Sequence, residues 1–562
     1  MVIRTVSLKR AGFYLLSLLT SLTASTAHAV DTYEAEAARL TGTLRVETAV
    51  AGFSGAGYVA GFQSSNENIW FDTVAAPAFG LYELTLGYRS PFGEKKTRLH
   101  VNGQGLGEVT LAGTTEFKEV AGGKVLLNQG NNVIRVESNW GWYEIDYIKI
   151  APAAKRAPHQ VDKLLINPNA TVEAKALMSF LVDHYGKAIV SGQQDTRDLN
   201  YIVAQTGELP GLLGLDMMDY SPSRVERGTT STATETGIDW WANQRGIVTY
   251  CWHWNAPKGL LDTPEQRWWS GFYTSATTFD VAYAMNNPSS EDYALLLRDI
   301  DAIAVQLKRL QDAKVPVLWR PLHEAEGGWF WWGAKGPEAC KALWRVMYDR
   351  LTNLHGLNNL IWVWNSINPA WYPGDEYVDI VSMDSYPGNF NYTAQSGSFD
   401  RLVALTGHEK LIAMTENGPI PDPDLIQVYD APWSWFCTWN GFPQSANSVA
   451  HLQKVYHHPF VLTLDELPLL AAYPLTSFGE VQGFLDRFVQ SGAVSGEVVS
   501  TLKAKLAQAS QHEAKGHTKQ AVKHLEDFQK HLAKPANAGS ITEAARTELH
   551  AYAGLLIAEL SR

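Results

Sequence analysis

The run VPVLWRPLHEAEGGWFWWG, residues 315–333, joins an apolar segment to two ionisable residues and then to a cluster of aromatic rings. Its first part is rich in Val, Leu and Trp, as buried strands are. His323 and Glu324 follow at the carboxyl end, where parallel barrels carry their functional groups. The run therefore predicts a buried parallel strand with functional side chains at its carboxyl end.

Seven other segments show the same character, and helical patterns separate them. The eight predicted strands are KAIVSGQQ, LLGLDMM, GIVTYCWHW, VPVLWRPLHE, LIWVWNS, VDIVSMDSY, KLIAMTENG and WFCTWNG. Strands that alternate with helices over this length are typical of an eight-stranded parallel barrel. We assign residues 161–459 to a (β/α)8 TIM barrel.

The segments on either side of the barrel have a different character. Short β-rich runs with Gly and Asn turns fill residues 30–150 and predict a β-sandwich of the jelly-roll kind. The run APAAKRAPHQ, residues 151–160, has no periodic apolar face and is predicted to be a linker. Residues 477–562 show helical apolar spacing with short polar loops, which predicts an α-helical bundle of unknown role.

Charge and composition narrow the class of partner. The 562 residues include 58 acidic and 46 basic side chains, for a formal charge of −12. This balance argues against a nucleic-acid partner, because phosphate binding needs a concentrated positive surface. The 20 Trp and 23 Tyr residues fit a sugar-binding protein, since pyranose faces lie flat on aromatic rings, although core packing is the competing explanation.

The first 29 residues have the features of a secretory signal. Basic residues precede a short apolar run, and the small residues Ala27 and Ala29 flank His28 at a cleavage site. No later apolar segment is long enough for a transmembrane helix. We expect a secreted protein, extracellular or periplasmic, that acts as a monomer.

Two glutamates lie at corresponding places in the predicted barrel. Glu324 ends the fourth strand, and Glu416 lies 92 residues further on at the end of the seventh, about three βα units later. Two carboxylates held across a sugar can hydrolyse a glycosidic bond, because one attacks the anomeric carbon while the other protonates the leaving oxygen. A separation of about 5 Å would give retention of configuration and require no cofactor. An ion pair is the alternative for either residue alone.

The barrel resembles glycoside hydrolase family 26, the β-mannanases. The motifs WRPLHEAEGGWFWWG, CWHWNAP, VSMDSYPG and MTENG carry the resemblance, which covers residues 161–457. It implies that Glu324 is the acid/base and Glu416 the nucleophile, and that His253 and His323 contact the sugar in the cleavage subsite. A buried structural role is the alternative for each histidine. Because neighbouring strand residues face opposite ways, His323 reaches the site only if the strand splays at its end.

Aromatic residues are predicted around the two glutamates. Tyr386, after the sixth strand, can donate a hydrogen bond to Glu416 and keep it ionised, although it could instead cap the core. Trp329 and Trp439 are predicted stacking platforms for the sugar. The rings around Glu324 should raise its pKa, as a general acid requires.

The first domain resembles a family 35 carbohydrate-binding module, through YEAEAA, SGAGYVAGF and ESNWGWYEIDYIKI. Glu34, Glu36 and Asp146 could together hold a structural Ca²⁺ with oxygen ligands, or could be ordinary exposed acids. Trp140 and Trp142 would offer aromatic surface for a polysaccharide, although one of them could belong to the core.

Taken together, these features predict a secreted retaining endo-β-1,4-mannanase that acts on mannan, glucomannan or galactomannan. One alternative keeps the fold and mechanism but changes the substrate to β-1,3-xylan or mixed-linkage β-glucan, since loops and not the barrel set specificity. Another alternative is a polysaccharide-binding protein without activity.

Overall fold

A computed structural model of the chain describes residues 30–64 and 66–562, apart from the side chain of Trp140. The predicted signal at residues 1–29 lies outside the described residues. The chain divides into two compact units: residues 30–97 and 109–153 form the first, and residues 98–108 and 154–562 form the second. The strands of the segment 98–108 nevertheless belong to a sheet of the first unit.

The N-terminal unit is a sandwich of two sheets. Its strands are Asp31–Glu34, Arg39–Leu40, Arg45–Glu47, Tyr58–Ala60, Asn68–Ala76, Gly80–Ser90, Lys95–Val101, Gln104–Leu111, Thr114–Leu127, Gly130–Trp140 and Glu144–Pro152. One sheet has six strands and the other has five. In the six-stranded sheet, Glu144–Pro152 lies between Gly80–Ser90 and the short strands Asp31–Glu34 and Tyr58–Ala60. Alternate residues such as Leu84 and Leu86 or Ile148 and Ile150 are buried, so the core lies between the sheets.

The second unit contains a closed barrel of eight strands, numbered here in chain order. They are Gly192–Gln194, Leu212–Asp216, Ile247–Cys251, Val317–Arg320, Leu360–Asn365, Ile380–Ser385, Leu411–Asn417 and Phe436–Thr438. All neighbours pair in parallel, including strand 1 with strand 8. Each strand lies within one of the eight predicted segments, so the sequence-based prediction of a TIM barrel is confirmed.

Helices surround this barrel. The α-helices are Val172–His184, Leu199–Thr206, Pro222–Val225, Ala233–Asp239, Val281–Asn286, Glu291–Asp312, Pro337–Tyr348, Ser396–Thr406, Pro423–Val428, Phe442–Ser445 and Val449–Tyr456. The longest is Glu291–Asp312. It is capped at its amino end by Ser290, whose side chain accepts a hydrogen bond from the Tyr293 amide. It buries residues at helical spacing, among them Ile300, Ile303 and Leu307, which explains why an amphipathic sequence forms a helix here.

The C-terminal region is the predicted bundle of four helices, Phe478–Gln490, Val498–Glu513, Thr518–Ala533 and Glu543–Leu560. Its apolar core is continuous with the barrel domain, because Ala176 of helix Val172–His184 belongs to the same buried cluster. A buried lysine joins the two regions: Lys163 Nζ lies 2.7 Å from both Asp183 Oδ1 and Glu480 Oε1. The bundle is therefore packed onto the barrel.

Cys251, Cys340 and Cys437 are buried free thiols. Within the described part of the chain, every helix is too short or too polar to span a bilayer.

Candidate active site

The backbone leaves the regular strand before it reaches Glu324. Barrel strand 4 ends at Arg320, four residues earlier than the sequence suggests. Leu322 and Glu324 both have φ of 52°, which non-glycine residues seldom adopt. The Glu324 amide donates a 2.9 Å hydrogen bond to Asn365 Oδ1 at the end of strand 5. These turns bring both His323 and Glu324 to the same site, which a regular strand could not do.

Glu416 lies near the end of strand 7 and is 4 % exposed. The Tyr386 hydroxyl donates to Glu416 Oε2 at 2.9 Å. The Arg320 guanidinium donates to Glu416 Oε1. Both oxygens of this carboxylate therefore accept hydrogen bonds, which stabilises its ionised form.

A third carboxylate completes the group. Asp384 accepts a 2.9 Å hydrogen bond from Arg320 Nη1 and two more from Asn365 and Thr415. One carboxylate oxygen from each of Glu324, Asp384 and Glu416 lies within 4.8 Å of the others. The two predicted catalytic glutamates thus face each other at close range.

The environment favours different protonation states for Glu324 and Glu416. Burial, followed by the charges of Asp384 and Glu416, raises the pKa of Glu324 to about 8. Burial and Asp384 also raise the pKa of Glu416, but Arg320 and His253 oppose this effect. Because Glu416 also accepts bonds from Arg320 and Tyr386, the arrangement favours ionised Glu416 beside protonated Glu324.

Two buried histidines lie beside the carboxylates. His253 Nε2 is 3.2 Å from His323 Nε2, and His253 Nδ1 is 2.6 Å from Asp216 Oδ2. Burial lowers the pKa of His253, but Asp216 outweighs this effect and raises it overall. Burial, Arg320 and His253 hold the pKa of His323 well below its ordinary value. These opposite shifts favour a protonated His253 that donates to a neutral His323.

The aromatic residues after Glu324 have two different roles. Trp329 is 48 % exposed, and its Nε1 donates a 2.9 Å hydrogen bond to Glu324 Oε2. Phe330, Trp331 and Trp332 are buried, and Trp332 Nε1 donates to the His323 carbonyl. Only Trp329 of this cluster is open to a ligand.

A cavity of about 490 Å³ opens on the side of strands 1 to 3. Asp216, His253 and Trp439 line it, together with Arg197 and Tyr273. The Trp439 ring lies 5.8 Å from the His253 ring. A volume of this size suits a small ligand or a few sugar units.

Four polar residues of the site were not predicted, namely Arg320, Asp384, Asp216 and Asn365. Arg320 and Asp384 did carry a signal, since a charged residue inside an apolar strand must have a buried partner. Their partners lie on other strands, so the signal alone does not identify them.

Two groups of side chains in the barrel have the spacing of metal ligands. In Glu324, Asp384 and Glu416, the Arg320 guanidinium already bridges two of the carboxylates. In Asp216, Cys251 and His253, the His253 Nδ1 is bonded to Asp216, and burial raises the pKa of the Cys251 thiol well above its usual range. Both groups are therefore explained by hydrogen bonds among protein side chains.

The three acidic residues of the N-terminal unit converge on one turn. The Ser54 amide donates to Asp146, the Ser54 hydroxyl to Glu34 Oε1 and the Ala56 amide to Glu36 Oε1. Glu34 Oε2 and Glu36 Oε2 are buried without a hydrogen-bond partner. Such oxygens fit a Ca²⁺ ligand set. The three carboxylates do not form a group within 4.8 Å, so they would have to draw together around an ion.

Trp142 lies at an exposed corner of the same unit. It is 54 % exposed with φ of 75°, and the exposed Phe92 ring packs edge-on at 6.2 Å. A Cβ at Gly141 would lie 2.2 Å from the Phe62 carbonyl oxygen, so only glycine allows this turn. Trp140 ends the strand Gly130–Trp140, and its side chain lies outside the described part of the structure.

A TIM barrel with two facing glutamates at the carboxyl ends of strands 4 and 7 defines a glycoside hydrolase of the two-carboxylate class. Residues 166–466 match the sequence model of glycosyl hydrolase family 26, and the chain belongs to that family. Residues 31–153 match the model of carbohydrate binding module family 35, and residues 478–558 match the FIMAH domain model.

Similar proteins include a mannan endo-1,4-beta-mannosidase of Thermothelomyces thermophilus, 52 % identical over 78 % of this chain and 90 % of the relative. The crystal structure of a GH26-CBM35 beta-(1,4)-mannanase of Podospora anserina is 51 % identical, with a TM-score of 0.59, over 79 % of this chain and 99 % of that one. The structure of a ruminal GH26 endo-beta-1,4-mannanase is 31 % identical, with a TM-score of 0.60, over 78 % and 98 % of the two chains.

Proposed function

We propose that this chain is a secreted retaining endo-β-1,4-mannanase. The proposal of a retaining glycoside hydrolase rests on the close approach of Glu324 and Glu416, which have oxygens within 4.8 Å of each other. This spacing suits direct attack by one carboxylate and leaves too little room for the water that an inverting enzyme places between them. The relatives named as mannan endo-1,4-beta-mannosidases support the substrate.

In the first step, ionised Glu416 attacks the anomeric carbon and forms a glycosyl ester. Glu324, which a pKa of about 8 keeps protonated at neutral pH, donates its proton to the departing glycosidic oxygen. Arg320 and Tyr386 hold Glu416 in place through both of its oxygens. Their positions are preorganised, so attack needs little rearrangement of the site.

In the second step, Glu324 is ionised and takes a proton from water. The water oxygen attacks the anomeric carbon, the ester bond to Glu416 breaks, and the sugar is released with its original configuration. The Trp329 indole donates to Glu324 Oε2 and can stabilise the carboxylate formed between the two steps.

The remaining parts of the chain fit this activity. The signal pattern at residues 1–29 supports export. The N-terminal unit would hold the enzyme on its polymer through Trp142 and raise the local substrate concentration. Glu34, Glu36 and Asp146 would hold a structural Ca²⁺, which would keep the turn at residues 54–56 in place.

The substrate is tested by measuring reducing ends released from mannan, glucomannan, galactomannan, β-1,3-xylan and mixed-linkage β-glucan. We expect release from the three mannan-type polymers. If the protein hydrolyses the xylan or the β-glucan and leaves the mannan-type polymers uncleaved, the substrate assignment is wrong. Proton NMR of the first product formed distinguishes retention from inversion at the anomeric carbon.

The catalytic assignment is tested with Glu416→Ala. We expect kcat to fall by about 10⁴-fold or more, while the protein still binds polymer. Glu326→Gln changes an exposed carboxylate two residues from Glu324 and should retain full activity. Equal rates for Glu416→Ala and the unaltered protein would remove Glu416 from the mechanism.

A further inference from the structure

The outer face of the six-stranded sheet in the N-terminal unit carries a groove of about 800 Å³. Its lining includes Glu34 and Asp146 at one end and the rings of Phe53, Phe117 and Tyr147. Trp142 and Phe92 do not line it, so the groove is separate from the exposed aromatic corner. Its volume lies within the range of ligand-binding clefts.

The floor of the groove is one row of residues across four strands. Glu34 pairs with Tyr147, Tyr147 with Gly87, and Gly87 with Glu119. Residues opposite each other in a ladder project from the same face, so these side chains lie side by side. A Cβ at Gly87 would lie 2.7 Å from the Tyr147 ring, which shows that this ring lies across the strand where the side chain is missing.

Asp146 joins this face through an irregularity in the ladder. The register between Glu144–Pro152 and Gly80–Ser90 shifts between Ile145 and Tyr147. Such a bulge changes the face of the sheet to which a side chain points, because it interrupts the alternation of the strand. Asp146 is consequently both 1 % exposed and part of the groove lining.

Charged and aromatic contacts hold the side chains of the groove in place. The Tyr147 hydroxyl donates to Glu119 Oε1 at 2.9 Å, and Lys149 Nζ donates to the same oxygen at 2.5 Å. Lys149 Nζ also lies 4.6 Å from the centroid of the Tyr147 ring. The Phe117 ring packs 5.1 Å from that of buried Tyr58. The rings are thus fixed before any ligand arrives.

We infer that this groove is a second polysaccharide-binding site, which takes a neutral β-linked hexose chain such as mannan. Fixed rings offer a flat apolar surface to pyranose C–H groups, while neighbouring carboxylate, ammonium and hydroxyl groups can bond the sugar hydroxyls. The groove lining has two basic residues, Lys118 and Lys149, against three acidic ones. Lys149 is also paired with Glu119, so the groove lacks the concentrated positive surface that a polyanion needs. The choice of mannan rests on the proposed function.

Two binding faces on one module would strengthen binding to long chains. A chain held at the Trp142 corner would present further sugar units, or a neighbouring chain, to the groove at high effective concentration. The second site should therefore matter more for polymer than for short oligosaccharides.

The test uses the full-length protein with Glu416→Ala, so that the polymer stays intact. In this background, Tyr147→Ala should weaken retention on insoluble mannan by about 5- to 10-fold, while Tyr147→Phe, which keeps the ring, should retain most of it. Phe79→Ala removes an exposed ring of the same unit outside the groove and serves as the matched control. Circular dichroism melting of each variant checks that it is folded.

Hydroxyl-radical footprinting locates the contact directly. Adding mannan should protect the Tyr147 and Phe117 rings, and polygalacturonate should not. Unprotected rings, or a Tyr147→Ala effect no larger than that of Phe79→Ala, would overturn the inference, as would protection by polygalacturonate alone. Mannan hydrolysis by the unaltered protein is measured in parallel: its absence would overturn the proposed function, whereas activity without groove protection would overturn only the second site.

Discussion

The Tyr386 hydroxyl lies 2.9 Å from Glu416 Oε2, and Arg320 donates to the other oxygen of that carboxylate, Oε1. Burial and the Glu416 charge raise the pKa of Tyr386, so the hydroxyl stays protonated and acts as a donor. The Glu416 carboxylate, the proposed nucleophile, is therefore held by one charged and one neutral donor.

Tyr386→Phe should reduce kcat/KM by about 10-fold or more, because a hydrogen bond to a charged group is worth on the order of 1.5–3 kcal/mol. Loss of the donor destabilises ionised Glu416 and raises its pKa, so the acid limb of the kcat/KM profile should move to higher pH. Tyr372→Phe removes a comparable bond to Asp375 outside the site and should leave the profile unchanged. An unmoved acid limb in Tyr386→Phe would contradict this role.

Glu324→Gln should abolish most activity and yet stabilise the protein at neutral and alkaline pH. The folded pKa of about 8 lies above the ordinary value of 4.5, so the folded chain keeps a proton that the unfolded chain releases between these values. The Glu324 contribution to stability is consequently present below about pH 4.5 and lost as the pH rises toward 8.

Glutamine stays neutral, so the gain from Glu324→Gln should grow with pH and reach on the order of 1–3 kcal/mol near pH 8. Denaturant unfolding at pH 5 and pH 8 measures this difference. Glu326→Gln is the control with an exposed side chain. A gain in stability that is the same at both pH values would show that the Glu324 proton is not its source.

Asp216→Asn should impair the enzyme most strongly at low pH. Asp216 raises the pKa of His253, and the resulting charge helps to lower the pKa of Glu416. With asparagine, His253 becomes neutral, so Glu416 should ionise at a higher pH and kcat/KM should fall about 10-fold on the acid side. Asp239→Asn, which changes an exposed aspartate outside the cavity, is the control. An equal loss at every pH would indicate a structural effect alone.

Calcium should bind the N-terminal unit with one-to-one stoichiometry in titration calorimetry, and Glu36→Gln should eliminate this binding. Burial, Glu34 and Glu36 raise the pKa of Asp146 to about 6, so affinity should decline as the pH falls below that value. At 100 times its Kd, calcium should stabilise the unit by about 2.7 kcal/mol. Glu116→Gln is a suitable control, and unchanged binding in Glu36→Gln would exclude this ligand set.

The sequence predicted the barrel because local signals agree with its architecture. The barrel strands lie in or directly after apolar runs, and the spacing between Glu324 and Glu416 matches three βα units. The bundle and sandwich followed from periodicity in the same way. These features depend on residues near one another in the chain.

The missed parts of the site depend on residues that are distant in sequence. Arg320 reaches from strand 4 to Asp384 on strand 6 and Glu416 on strand 7. The positive φ of Leu322 and Glu324 has no glycine to signal it. Likewise, WFWW is a uniform aromatic run, and only packing decides that Trp329 is exposed while the following three rings are buried.

The shared interior of the bundle and the barrel has a practical consequence for shortened versions of this enzyme. Cutting the chain before Phe478 would strip the apolar cover from Ala176 and leave Lys163 with only Asp183 as an acidic partner. A catalytic core trimmed to the family 26 segment would thus expose an apolar surface that is prone to aggregation, and its buried lysine would lose one of two ion pairs. The C-terminal helices brace the catalytic scaffold, and they should be kept or redesigned with it when this enzyme is engineered.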